Sequence, residues 1–111
     1  QLWESGLPVL DDLHNVSYDW KGKEGITDEQ LQTYRTENYI ETIESLKPGL
    51  TMVIMHCTWP SEIFGEISNS GITRKGDMLA MMDPAFKNYL TDNNIILTTW
   101  REAKNRRDAL K

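Results

Sequence analysis

Chemistry-bearing side chains gather at one place in this sequence, the stretch MVIMHCTWPSE at positions 52–62. An apolar run leads directly into His56, and the only cysteine, Cys57, follows it. Imidazole exchanges protons near neutral pH, so His56 is the first candidate for acid, base or electrostatic work. Cys57 invites a nucleophile reading, but successive strand residues point to opposite faces, which disfavours a dyad with His56. Cys57 is expected to be a small buried residue. Arg74 and Asp77 stand three apart, one helical turn, and can pair with each other. Asp11, Asp12 and His14 spell DDLH, which has metal-ligand types. Ligands that close in sequence rarely converge on one ion without a dedicated loop, so no metal site is assigned there.

These residues need elements to hold them. Gly6 and Pro8 end a helix-like start, and Leu7 to Leu10 suits a short extended run. Asn15 to Gly25 reads as a loop. Thr27 and Gln30 have capping-box spacing, and Leu31, Tyr34, Ile40, Ile43 and Leu46 make the apolar stripe of a helix that ends at Pro48-Gly49. Leu50 to Met55 lacks alternation, which predicts a central strand covered on both faces, with His56 at its carboxyl end. Ligands of parallel α/β folds approach those strand ends. A loop containing Pro60, Gly65 and Gly71 comes next. Two helices follow it, the second opened by Asp83-Pro84. Ile95 to Thr99 is rich in β-formers, and Arg101 to Leu110 can close the chain as a helix. Met52, Met55, Met78, Met81 and Met82 are expected to fill the core.

Alternating strands and helices give an α/β class, read as one segment over 1–111. Two strong strands and one weak one make a poor sheet, so the fold looks incomplete, and Gln1 stands where an initiator methionine would. The net charge of −5 argues against a nucleic-acid partner, since phosphate needs clustered Lys and Arg. Lys104, Arg106 and Arg107 are expected to complement a helix end. No apolar run approaches the roughly 20 residues of a membrane span, and no leader pattern is present. A single cysteine leaves the redox compartment unread.

Three stretches carry a family resemblance: GLPVL (6–10), PGLTMVIMHCTWP (48–60) and RKGDMLAMMDPAFKNYLTDNNIILTTWREA (74–103). They resemble the YdjC-like carbohydrate deacetylases, a family that includes chitooligosaccharide deacetylases. The second is similar to the family's strand ending in His-Pro-Gly. The third resembles its closing block, in which an Arg precedes an acidic residue by three and Asp-Pro opens a helix. The resemblance implies the C-terminal portion of an irregular (β/α) barrel, with the metal-binding residues upstream of this segment. It implies hydrolysis of the acetamide of an N-acetylated sugar or oligosaccharide, with a divalent metal, Mg or Zn, whose ligands are not in this chain. His56 would assist as general acid or electrostatic partner. Trp59 would offer a face for a sugar ring, and Arg74 would contact substrate or clamp the loop. Cys57-Thr58 replaces the family's Pro-Gly, which implies a differently shaped loop. The other reading is a non-enzymatic α/β binding module that completes its sheet by association, for example as a homodimer.

Overall fold

The computed structural model describes residues 1–110. The capping box at Thr27 is formed: its side chain accepts from the Gln30 backbone while Gln30 reaches back to the Thr27 N–H. With Asp28 and Glu29 in the first turn, it starts α1 (Asp28–Glu44). Pro84 at the first helical position, behind an Asp83 side chain that accepts from the Ala85 N–H, starts α4 (Pro84–Asp92). A second capping box, Thr99 with Glu102, starts α5 (Trp100–Asp108). Between them lie α2 (Glu62–Ile67) and α3 (Gly71–Met81). The two strands are short. β1 (Asp12–His14) runs parallel to β2 (Thr51–Val53), with Leu13 opposite Met52. A 3-10 turn, Ser17–Asp19, connects β1 towards α1.

The class is α/β and mostly helical, with five α-helices and a two-stranded parallel sheet among the described residues. α3 packs chiefly on α1, and α4 closes against both. The core consists of Tyr39, Ala80, Phe86 and Leu90, with Trp20, Ile40, Ile43, Val53, Met55 and Met81 packed on it. The radius of gyration is 16.6 Å. A compact domain of this length has about 13 Å, so the elements spread rather than close on themselves.

Several sequence expectations are corrected. The first strand is Asp12–His14, not Leu7–Leu10. β2 spans three residues, all only half-buried, instead of a strand covered on both faces. Ile95 to Thr99 forms no strand, because no neighbour offers it a ladder. Ile96 and Leu97 are 84% and 77% exposed. The region read as loop holds α2, capped by the Ser61 side chain accepting from the Phe64 N–H. Met82 is exposed rather than core-filling. The buried face of α1 carries Leu31, Arg35, Thr36 and Tyr39, not the purely apolar stripe. Hydropathy places arginine outside, but this one has its counter-charge inside.

Candidate functional site

That counter-charge is Asp77, on α3. The Arg35 guanidinium forms a buried ion pair with it through Nη2. The same guanidinium donates to three backbone carbonyls: Nη1 to Ser17 at 2.7 Å and Trp20 at 2.8 Å, and Nη2 to Thr73 at 2.9 Å. Its Nε is buried without a partner, facing Gly76. Trp20 and Tyr39 flank it, with the Arg35 Cζ 5.4 Å and 5.8 Å from their ring centroids. Charge-assisted bonds in a dry setting are strong, and an unpaired charge there would be costly, so this network is highly specified.

Asp77 has two further partners. Tyr39 donates its hydroxyl to Oδ1, and the backbone N–H of His56 donates to Oδ2 at 2.8 Å. Burial first, and the Asp77 carboxylate second, hold the Tyr39 phenol far above its ordinary range. The expected Arg74–Asp77 pair is therefore not formed; Asp77 turns inward to Arg35.

His56 sits just past the carboxyl end of β2, half-buried, as the strand-end argument requires. Its backbone is held by Asp77, and its ring Nε2 lies 2.8 Å from the Tyr18 hydroxyl. A cleft of about 10 Å³, scarcely room for one water, opens between His56, Tyr18, Ser17, Ser70, Thr73, Arg74 and Asp77.

Arg74 thus stands beside His56 across this cleft. Its Nε donates to Ser70 Oγ at 2.9 Å, and its Cζ lies 5.7 Å from the centroid of the Phe64 ring. Among the described residues, no carboxylate lies within ion-pair distance of it. The backbone carbonyl of Arg74 accepts from the Thr58 N–H at 3.3 Å, tying the loop after His56 to α3. Trp59 is 73% exposed and borders neither the cleft nor the larger groove. That groove, about 330 Å³ and open, runs between α2 and α3 over Phe64, Pro60, Ile72 and Lys75. His56 and Arg74 are brought together, while Trp59 stands apart from both.

Cys57 is exposed, correcting the expectation that it is buried. Desolvation of its sulfur, and then the Asp77 carboxylate, raise the thiol above its ordinary range, the opposite of an activated nucleophile. DDLH forms an exposed pair in which His14 Nε2 lies 3.0 Å from Asp12 Oδ2. No group of three or more His, Cys, Asp and Glu among the described residues could hold a metal ion. The described residues therefore offer no metal site.

Sequence reasoning missed Arg35, Tyr18 and Tyr39, which build the site from behind. Their signal was faint: an arginine in phase with Leu31 and Tyr39 on one helix face. No helix among the described residues is long and apolar enough to cross a membrane. No family model, curated protein or solved structure matches this chain.

Proposed function

We propose that this chain forms one wall of the active site of an N-acetyl-sugar deacetylase, the carboxyl-side part of a longer barrel-like domain. The observation that carries the reading is the placement of His56. It stands at the carboxyl end of a parallel strand, backbone-anchored by a buried carboxylate, with a half-exposed ring beside an uncompensated arginine. Amide hydrolysis needs a donor for charge developing on the carbonyl oxygen and a proton for the departing amine. Water adds to the acetamide carbon, the C–N bond breaks, and the nitrogen leaves as an amine with one added proton while acetate is released. His56 serves that chemistry, and Arg74 offers its free guanidinium edge to a substrate oxygen. The divalent metal that belongs to this reading would be held by residues elsewhere in the domain.

The spread of the elements and the two-stranded sheet support membership of a larger unit, and exposed Ile96 and Leu97 offer apolar surface that such a unit could cover. The same exposed segment favours the second reading, an α/β binding module that pairs its sheet with another copy. The test is acetate release from N-acetylated chitooligosaccharides by the longest natural reading frame that contains this segment, with divalent metal supplied. His56→Ala is expected to abolish turnover while metal content and circular dichroism stay unchanged. Unaltered turnover removes His56 from the reaction. No turnover by the wild type, with a concentration-dependent dimer of this chain, favours the binding module.

A further inference from the structure

Two residues meet at the cleft from separate parts of the chain, and a single ion pair holds both. Tyr18 lies in the 3-10 turn, whose Ser17 carbonyl, together with the carbonyl of Trp20 just beyond it, accepts from Arg35 Nη1. His56 hangs by its backbone N–H from Asp77, the ion-pair partner of Arg35. The Arg35–Asp77 pair therefore sets the separation between Tyr18 and His56, and the outcome is a hydroxyl 2.8 Å from Nε2. That geometry leaves two arrangements: the phenol donates to a bare Nε2, or a protonated Nε2 donates to the phenol oxygen.

We propose that Tyr18 is a positioning residue that donates to Nε2 of His56, fixing the neutral ring with its proton on Nδ1 and making Nδ1–H the group offered to a substrate. A phenol is a stronger donor than a neutral imidazole N–H. A bare imidazole nitrogen is a stronger acceptor than a phenol oxygen. Both preferences select the same arrangement, and a hydrogen bond at one ring nitrogen decides what the other carries. Resting on the deacetylase reading, this makes the neutral ring a hydrogen-bond donor to the oxygen of the scissile amide rather than a base. The proton placement itself stands independently of which reaction the site performs.

The test uses the ring nitrogen shifts of this chain, at a pH where both histidines are neutral, so that no turnover is needed. His14 is an internal standard: its Nε2 faces the Asp12 carboxylate, which only accepts, so its proton sits on Nε2. His56 is expected to show the opposite pattern, with a pyrrole-type Nδ1 and a bare Nε2. Tyr18→Phe, a change at a half-exposed ring, is expected to return His56 to the Nε2–H form that a free side chain prefers. A wild-type His56 carrying its proton on Nε2 overturns the proposal, and so does a Tyr18→Phe pattern identical to the wild type. Should the variant unfold, the wild type still decides. A slowly exchanging Tyr18 hydroxyl proton with a cross-peak to the His56 ring supports the bond, and its absence at low temperature refutes it. If the shifts agree and the acetate assay fails, the tautomer stands and the deacetylase reading falls.

Discussion

Replacing Gly76 by alanine should destabilise the chain, although Gly76 lies inside α3, where alanine is normally the better residue. A Cβ at this position would stand 2.8 Å from Arg35 Nε and 3.0 Å from both its Cδ and Cγ. Those atoms belong to the middle of a side chain whose far end is locked by the ion pair and three backbone carbonyls. The helix gains about 1 kcal/mol from losing a glycine. Forcing a methyl into a filled space costs about 1–3 kcal/mol. Shifting the guanidinium enough to break one carbonyl bond costs a further ~1.5–3 kcal/mol. Since the clash and the loosened bond act together, the net is a loss of roughly 1.5–5 kcal/mol. Urea denaturation followed by circular dichroism measures it. Gly65→Ala is the control, because its Cβ would meet nothing within 4 Å on a helix of the same chain, so it should raise stability slightly. If Gly76→Ala matched the Gly65→Ala gain, Arg35 would not be locked as described, and the account of the network would fail.

Asp77→Asn keeps the shape but leaves the Arg35 charge uncompensated in a buried site, so a loss of about 3–5 kcal/mol is expected in the same urea experiment. A loss below that of an ordinary surface substitution would count against a dry ion pair. In α5, the Glu102 carboxyl is held below its ordinary range, chiefly by the Thr99 backbone N–H and then by the Thr99 and Thr98 hydroxyls. A lowered folded-state value means stability that is present above the unfolded glutamate range and is lost as pH falls through the folded value. Protection of the α5 amides, corrected for the intrinsic exchange rate at each pH, should therefore fall on acidification in the wild type, while Glu102→Gln should show a flatter acid dependence. Equal slopes in the two proteins would refute the assignment.

The legible parts of the fold were those written in local chemistry. The Thr27 capping box and the Asp83-Pro84 start were readable because a cap and its helix lie within a few residues. The parallel order, and with it the strand-end position of His56, followed from strands alternating with helices. Arg74 and His56 line one cleft in the structure, whereas nothing draws Trp59 to them. Errors fell where a partner decides. Ile95 to Thr99 has β-forming residues, but a strand exists only where another backbone answers its N–H and C=O groups. Asp77 was paired with the nearest arginine in sequence, while the buried partner came from 42 residues away.

Local propensity, caps and composition determined from sequence alone an acidic, mixed α/β chain with His56 beyond a strand end. Only tertiary structure decided that Arg35 belongs inside. The reason is energetic: a buried charge is tolerated where its counter-charge and carbonyl acceptors are already in place, and those come from Asp77, Ser17, Trp20 and Thr73 on separate elements. The same contacts set the Tyr18 hydroxyl against His56, which no spacing along the chain could indicate.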